Sequence, residues 1–255
     1  MPSYFFLLLM FVLGLVFGSF ASVVIHRLHT RQEGILWGRS ECPRCHHRLR
    51  VLDLIPLAGY VFNKFHCHFC QKPIAAVYPL LEIAMGTAFW LTAIEIGNTS
   101  IPALILFCVT TFVLVTVSFY DMLYREIPDE LMLPAIIVTL VALPLLKIAT
   151  ISSILWGALI PLLFFGGLFF GSSGRWLGGG DIRLGVFMGL LLGWPLVLVG
   201  LFLAYLMGSF YSLIGIVTKK LNRKSAISFG PFLALGTFAG LFWGKTILEW
   251  YLKTF

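Results

Sequence analysis

Charged residues are scarce in this 255-residue sequence. Only 11% of the residues are Asp, Glu, Lys or Arg, whereas 59% are hydrophobic and the mean hydropathy is +0.96. Because a soluble domain carries roughly 25% charged residues, the composition excludes an ordinary soluble protein and indicates one that crosses a membrane repeatedly. The net charge of +7 would suggest nucleic acid in a soluble protein. In a membrane protein its placement along the chain matters more, and we expect no nucleic-acid partner.

Several sequence motifs that carry chemistry are also missing. The sequence contains no phosphate-binding loop, no G-x-G-x-x-G fingerprint, no internal repeat and no low-complexity tract. It has no H-E-x-x-H, and no serine–histidine or serine–lysine pair stands out near its acidic stretches. These absences leave carboxylates as the candidates for catalysis.

Apolar runs long enough to span a bilayer occur at eight places along the chain. They cover residues 4–25, 75–97, 101–119, 131–149, 151–171, 184–200, 201–217 and 227–248. Gly193-Trp194-Pro195 is the only break in the apolar sequence of the sixth and seventh runs. The turn between the two helices could therefore lie there and leave a short sixth helix. We expect an all-α polytopic membrane protein with about eight transmembrane helices. The first run has no basic start and no cleavage site of small residues, so we interpret it as a retained helix.

Lysine and arginine are nearly absent from one side of this topology, which holds only three of the 18. The fifteen on the other side are Arg27, Arg31, Arg39, Arg44, Arg48, Arg50, Lys64, Lys72, Arg125, Arg175, Arg183, Lys219, Lys220, Arg223 and Lys224. Because basic loops stay in the cytoplasm, both chain ends are predicted to be periplasmic. The chain then divides into a first transmembrane helix at 1–26, a cytoplasmic loop at 27–74 and a seven-helix membrane domain at 75–255.

Four of the five cysteines lie in the predicted cytoplasmic loop, as two C-x2-C pairs separated by 21 residues: Cys42 and Cys45, then Cys67 and Cys70. Two such turns can close a four-sulfur zinc site, which would organise the loop rather than catalyse because no coordination position is open. The alternatives are disulfides, redox cysteines and haem attachment through Cys42-Pro43-Arg44-Cys45-His46. The reducing cytoplasm disfavours disulfides, and we expect c-type haem on the outer side, so structural zinc is favoured.

Two aspartates lie at the predicted cytoplasmic ends of apolar runs. Asp121 follows Ser118-Phe119-Tyr120, and Asp181 follows three glycines, Gly178, Gly179 and Gly180. A carboxylate that faces lipid is costly, so both are expected to face a protein interior or a water-filled cavity. Asp121 also opposes the dipole of the helix that it ends, so another group should stabilise or use it.

Two aspartates within a few ångströms of each other cannot both ionise, and they share one proton. The ionised partner can take a proton from water while the neutral one polarises a carbonyl and later protonates the leaving amine. This arrangement is suited to aspartyl-type peptide hydrolysis. The three glycines would let an extended peptide lie alongside by backbone pairing.

Two further features allow a structural and a functional interpretation. Gly14, Gly18 and Ser22 are four residues apart, which predicts a close helix–helix contact, with a ligand-facing role as the alternative. Glu82 begins the second span, where an acid is favoured at a helix N-terminus, but it is also a candidate site residue.

The sequence resembles the type IV prepilin peptidases, a family of GxGD-class membrane aspartyl proteases, over nearly its whole length. The motifs that carry the resemblance are Gly18-Ser19-Phe20 with Val23-Val24-Ile25-His26-Arg27-Leu28, the two cysteine pairs around Asp53-Leu54-Ile55-Pro56, Tyr78-Pro79-Leu80-Leu81-Glu82, Asp121 with Ile127-Pro128-Asp129, Gly178-Gly179-Gly180-Asp181-Ile182-Arg183-Leu184, and Phe229-Gly230-Pro231-Phe232-Leu233-Ala234. Their order and spacing together are highly specific.

The resemblance implies a bifunctional enzyme of the bacterial inner membrane. It would cut the leader of prepilins or pseudopilins after a glycine at the cytoplasmic face, then methylate the new N-terminus with S-adenosylmethionine. Asp121 and Asp181 would be the catalytic pair, with Gly178, Gly179, Gly180 and Arg183 as candidates for substrate binding. The zinc loop is typical of the bifunctional members, and Glu82 is the candidate for binding the methyl donor.

Three positions depart from the family's pattern. Arg183 stands where lysine is usual, Ala21-Ser22 replaces a common Leu-Asn, and Ser228 replaces a proline. These changes bear on substrate preference and on the methyl transfer. The alternatives are a peptidase without methyltransferase activity, a membrane redox protein that uses the cysteine pairs, and a non-enzymatic assembly factor. Membrane lipid is expected as a partner, and the sequence carries no signal of oligomeric state.

Overall fold

A computed structural model describes residues 3–31, 40–222, 225 and 227–254 of the chain. Arg39, Arg223 and Lys224, which contribute to the charge asymmetry, lie outside these residues. The described part is helical, and its only β-structure is two isolated bridges, Glu41 with Arg48 and His66 with Pro73. The expected all-α class is confirmed for this part of the chain.

The described helices fall into long apolar ones and short ones around the cysteines. They are α1 (Tyr4–Thr30), a 3-10 helix (Val51–Leu54), α2 (Ala58–Phe62), α3 (Val77–Ile96), α4 (Ile101–Tyr124), α5 (Asp129–Leu145), α6 (Ile151–Ser172), α7 (Gly179–Leu192), α8 (Leu196–Val217) and α9 (Gly230–Thr254).

Six of these helices, α1, α3, α4, α6, α8 and α9, are long and apolar enough to cross a membrane. The chain is therefore an integral membrane protein. Helix α5 has 17 residues and α7 has 14, so the total of eight spans stays a prediction.

The boundaries of the sixth predicted span, 184–200, are wrong. Helix α7 begins at Gly179 and ends at Leu192, and residues 196–200 belong to α8. Gly193, with a φ of 65°, ends α7, and Pro195 precedes the first residue of α8. The predicted turn at Gly193-Trp194-Pro195 and the short sixth helix are confirmed.

The contacts divide the chain into two compact units, residues 1–116 and 117–255, with the boundary inside α4. This division differs from the one predicted from topology, with parts at 1–26, 27–74 and 75–255. The predicted division stays a prediction. The four cysteines and Glu82 belong to the first unit, whereas both aspartates belong to the second.

In the first unit, α1 packs against α3 through small residues. A Cβ on Gly14 would lie 2.7 Å from the Cα of Gly86, and one on Gly18 would lie 2.6 Å from the Cα of Glu82. Only glycine allows backbones to approach this closely. The contact predicted for these two α1 positions is therefore confirmed, and it brings the Glu82 backbone directly against α1.

The second unit is built around α7, which contacts α5, α6, α8 and α9. Leu184, Phe187 and Met188 on this helix are completely buried. A short helix that is apolar all round is stable when other helices cover all its faces. Helix α7 therefore holds Asp181 near its first turn in a rigid setting.

Candidate aspartate and four-cysteine sites

Asp121 lies in the last turn of α4 and is only 5% exposed. Its Oδ2 accepts a hydrogen bond of 2.8 Å from the backbone N–H of Gly230, the first residue of α9. The N-terminus of a helix has unsatisfied N–H groups and a partial positive charge. Helix α9 therefore supplies the stabilisation that Asp121 lacks at the end of its own helix.

The contact between Asp121 and α9 leaves no room for a side chain at position 230. A Cβ at this position would lie 2.7 Å from Asp121 Oδ2 and 3.2 Å from its Cγ, so a side chain would displace the carboxylate. Gly230 belongs to a motif of the family that the sequence resembles, but the sequence alone assigns it no contact with Asp121. The only bottom-up signal was indirect: an acid at the C-terminal end of a helix needs a donor from elsewhere.

Asp181 is the third residue of α7, and its Oδ2 accepts a hydrogen bond of 3.1 Å from the N–H of Gly178. An aspartate in the first turn has a favourable interaction with the helix dipole. Each of the two aspartates is thus held at a helix N-terminus, Asp181 at its own helix and Asp121 at α9.

The structure places the two aspartates in the same unit, and the electrostatic influence of Asp121 extends to Asp181. The segments that carry them also contact each other, because a Cβ on Gly180 would lie 2.7 Å from the Cβ of Ile127 and Arg183 forms an ion pair with Asp129. The segment that follows Asp121 and the segment around Asp181 therefore contact each other within the second unit.

The three glycines before Asp181 differ in their surroundings. Gly180 packs against Ile127, whereas a Cβ on Gly178 or Gly179 would make only an ordinary contact, at 3.5 Å to Asp181 and 3.9 Å to Arg183 respectively. Apart from the adjoining backbone, no other atom of the described residues lies within 4 Å of either Cβ position. Gly178 and Gly179 thus leave space beside Asp181, and Gly180 brings the two segments together.

Aromatic side chains line the neighbourhood of the pair. Phe229, which precedes Gly230, has its ring centroid 4.9 Å from that of Tyr205 and 6.4 Å from that of Phe165. Tyr205 lies within electrostatic range of Asp181. Tyr205 could not be predicted from the sequence, because one tyrosine in an apolar helix resembles a packing residue.

The four cysteines of the two C-x2-C pairs converge on one point, with all four Sγ atoms within 4.8 Å of one another. Each pair lies in the same kind of turn. The N–H of Cys42 donates to the carbonyl of His47 at 3.0 Å, and the N–H of Cys67 donates to the carbonyl of Lys72 at 2.9 Å. The repeated turn explains why two separate stretches present sulfur in the same way.

The donor set fits a metal ion of tetrahedral preference. Zn–S bonds of about 2.3 Å place sulfurs about 3.8 Å apart in a tetrahedron, within the observed spread. Burial by itself raises the pKa of the Cys42 thiol, but hydrogen bonds from the backbone of Arg44 and Cys45 lower it to about 7. A backbone hydrogen bond from His47 lowers the pKa of Cys45, but burial and the thiols of Cys42 and Cys70 outweigh it and raise the pKa to about 11. The first thiolate, the form that binds metal, therefore forms at Cys42.

Glu82 lies in the second turn of α3, half-buried, and touches two other elements. Its Oε2 accepts a hydrogen bond of 2.8 Å from the N–H of Leu57, and it also bonds the side chain of Ser19 on α1. It lines a cavity of about 750 Å³ in the first unit. The structure therefore connects Glu82 to the cysteine loop and to α1.

Comparison with known proteins identifies the family. Residues 12–96 match the model described as the bacterial peptidase A24 N-terminal domain. Residues 105–213, which include both aspartates, match the type IV leader peptidase family. No solved structure matches the chain.

Curated relatives match over nearly their whole length. A prepilin leader peptidase/N-methyltransferase of Aeromonas hydrophila is 31% identical over 97% of this chain and 94% of its own. Proteins of the same name from Pseudomonas aeruginosa and Bacillus subtilis are 29% and 28% identical, over 97% and 96% of this chain and 94% and 97% of their own.

The long apolar helices place the chain in a membrane. The matches assign the chain to the type IV leader peptidase family, and the chain is an enzyme of that family.

We expect Gly180→Ala and Gly179→Ala to affect stability differently. The methyl group at position 180 would overlap Ile127, and overpacking of this kind costs about 1–3 kcal/mol, whereas the group at 179 meets only an ordinary contact. Thermal unfolding of the purified protein in detergent should show a lower midpoint for Gly180→Ala alone. Equal midpoints for the two variants would contradict the packing role of Gly180.

Proposed function

We propose that this protein is a membrane aspartyl endopeptidase that removes the leader of type IV prepilins or pseudopilins, cutting after a glycine. It then methylates the new N-terminal residue with S-adenosylmethionine. The observation that carries the peptidase is the convergence of Asp121 and Asp181 in one unit of a chain of the type IV leader peptidase family. The methyl transfer is supported by the names of the relatives.

Asp121 and Asp181 would share one proton. The ionised carboxylate takes a proton from a water molecule, and the protonated one donates a hydrogen bond to the carbonyl oxygen of the peptide bond being cut. The hydroxide equivalent adds to the carbonyl carbon. The tetrahedral intermediate collapses as the amine leaves with a proton from the pair, which returns to its starting state.

The space beside Gly178 and Gly179 would accommodate the backbone of the leader. Extended peptides pair readily with exposed backbone groups, and the absence of side chains at these two positions leaves that edge open. Gly180 and Arg183, also predicted to bind substrate, make the contacts to Ile127 and Asp129 described above. We propose that these two act on the substrate by positioning the segment that carries Asp181.

Zinc is the ion that we propose for Cys42, Cys45, Cys67 and Cys70. Four thiolates satisfy its tetrahedral preference and leave no open position, so the ion would hold the two turns together. The convergence of all four sulfurs favours this interpretation over two independent redox pairs.

The charge asymmetry supports an inner-membrane location with the cysteine loop and the aspartates on the cytoplasmic side and both chain ends in the periplasm. Prepilins present a basic leader to the cytoplasm and a hydrophobic helix to the bilayer. A catalytic pair at the cytoplasmic ends of helices suits such a substrate.

We expect Asp121→Asn and Asp181→Asn each to abolish leader removal, by on the order of 10²–10⁴-fold, because an amide cannot shuttle the proton. The assay is the mass of the N-terminal peptide of a prepilin co-expressed in membranes. Glu249→Gln, an exposed position near the end of α9, is the matched control and should cleave normally. Retained cleavage in either aspartate variant would remove that residue from the pair.

A second prediction concerns the hydrogen bond from α9 to Asp121. Gly230→Ala would push a methyl group against the carboxylate, and losing a hydrogen bond to a charged group costs about 1.5–3 kcal/mol. We therefore expect kcat/KM for leader removal to fall about 10-fold or more. Gly244→Ala on the same helix is the control, since its Cβ would lie 3.5 Å from Leu196. Equal rates in the two variants would refute the proposed dependence of Asp121 on α9.

A third prediction concerns metal content. The purified protein should contain about one zinc ion per chain, and Cys67→Ser should lower that content, as measured by elemental mass spectrometry. Cys108→Ser, a change in α4 outside the cluster, should keep the zinc. Mixed disulfides with partner proteins, without bound metal, would instead support the redox alternative.

A further inference from the structure

The cysteine loop exposes large apolar side chains in one part of its sequence only. Among the described residues of the loop, 27–31 and 40–74, the exposed ones are Leu52, Ile55, Val61, Phe62 and Phe65. They lie on or beside the 3-10 helix and α2, between the two cysteine pairs. Exposed apolar side chains that cluster in this way mark a surface that binds a protein or a membrane. The stretch from Leu52 to Phe65 is called the apolar segment below.

A hydrogen bond places the start of α2 beside the membrane-spanning part of α1. The N–H of Leu57 donates to Glu82 at 2.8 Å, and the same carboxylate is hydrogen-bonded to the side chain of Ser19 on α1. Helix α1 is long and apolar enough to cross a membrane. Ser19 precedes His26, where the apolar run of α1 ends, by about 10 Å at 1.5 Å per residue. Leu57 therefore lies alongside this run rather than beyond its end, and α2 begins next to the bilayer.

The end of α2 presents two phenylalanines and a lysine at the surface of the loop. Lys64 and Phe65 have φ values of 49° and 66°, which are uncommon for residues other than glycine and turn the chain sharply. The N–H of Phe65 donates to the carbonyl of Tyr60 at 2.9 Å, and the N–H of Ile74 donates to the carbonyl of Phe65 at 2.8 Å. These bonds fix the turn while Phe62 and Phe65 stay 77% and 52% exposed. Lys64 is exposed between them.

The charges of the loop favour an anionic partner. Residues 40–74 carry five basic side chains and two acidic ones: Arg44, Arg48, Arg50, Lys64 and Lys72, then Glu41 and Asp53. Glu41 pairs with Arg48 at 3.9 Å. Asp53, the one acid of the apolar segment, accepts hydrogen bonds from the side chain of Asn63 and from the N–H of Arg50. The loop thus offers an excess of positive charge to its surroundings.

We propose that the apolar segment docks on the anionic leaflet of the membrane that the protein spans. Phe62 and Phe65 enter the acyl layer just below the headgroups, and the ammonium group of Lys64 reaches the lipid phosphates. Membrane-surface segments combine apolar and basic side chains in this way, and lysines extend towards the interface. The proposal concerns how the loop is held and does not depend on the proposed peptidase or methyl transfer.

A lipid surface fits the apolar segment better than the other candidate partners do. The basic leader of a prepilin would be repelled by the positive charge of the loop, and so would a second copy of the same loop. The cytoplasmic leaflet has a negative surface potential that attracts lysine and arginine. Because Leu57 lies beside the membrane-spanning part of α1, the segment needs no separate encounter to reach the lipid.

Photo-cross-linking of the full-length protein tests the contact directly. The protein carries a benzophenone amino acid at position 62 and is reconstituted in nanodiscs of phosphatidylcholine and phosphatidylglycerol. Mass spectrometry after illumination should find lipid adducts on the peptide that contains position 62. The matched control carries the same group at position 71, an exposed glutamine in the second cysteine turn of the same loop, and should give little lipid adduct.

Two outcomes of this experiment would overturn the proposal. Equal lipid adducts at positions 62 and 71 would show that the apolar segment has no special contact with the bilayer. Cross-links from position 62 to another protein chain, in place of lipid, would show that the segment is a protein interface.

Hydrogen exchange of the peptide that covers residues 57–65 tests the part played by charge, because docked amides are shielded from water. Exchange should be slower in nanodiscs that contain phosphatidylglycerol than in phosphatidylcholine alone. Lys64→Gln should lower this protection about fivefold, the factor expected for one lysine at an anionic surface. Phe62→Ser should lower it about tenfold or more, because an apolar side chain is no longer buried.

The control for charge is Lys220→Gln, which removes one exposed positive charge from the second unit and should leave the protection of residues 57–65 unchanged. Equal protection in the two kinds of nanodisc, or equal effects of Lys64→Gln and Lys220→Gln, would refute docking on anionic lipid.

Discussion

The hydrogen bond from the Gly230 N–H to Asp121 is the interaction on which the aspartate site depends. A carboxylate at the C-terminal end of α4 faces the negative end of that helix's dipole, and it is almost fully buried. The first N–H of α9 offsets this cost with a charged hydrogen bond of 2.8 Å. The arrangement needs glycine at 230, because a Cβ there would lie 2.7 Å from Asp121 Oδ2, closer than van der Waals contact allows.

Both units use the same device to place a carboxylate. In the second unit, Asp181 is held by the N–H of Gly178 and Asp121 by that of Gly230. In the first, Glu82 is held by the N–H of Leu57. Backbone donors of this kind are fixed by the fold, so each acid is oriented before any ligand arrives. Preorganised polar groups are also the main source of electrostatic catalysis in enzymes.

Much of this could be predicted from the sequence, for identifiable reasons. Long apolar runs define helices because the membrane permits little else, and Gly14 and Gly18 indicate a close contact by their spacing alone. Cys42, Cys45, Cys67 and Cys70 predict a cluster because short turns bring paired sulfurs together. Gly193 and Pro195 indicated the end of α7, but the apolar run itself extends to residue 200 because no charged residue interrupts it, so hydropathy alone misplaces the boundary.

What escaped prediction depends on contacts between distant residues. Asp121 and Gly230 are 109 positions apart, and no local pattern pairs an N–H with a particular acid. The positive φ of Leu57, 59°, was equally hidden, since Ile55-Pro56-Leu57 contains no glycine that would signal it. The packing of Gly180 on Ile127 required the relative placement of two segments, which periodicity does not encode.

The length of α7 has a consequence for how water reaches the second unit. Fourteen residues cover about 21 Å at 1.5 Å each, whereas the hydrocarbon layer is about 30 Å thick. If α7 crosses the bilayer as the sequence predicts, at least one of its ends must open into a recess below the membrane surface. With the recess at Asp181, protons would exchange between that carboxyl group and water without passing lipid.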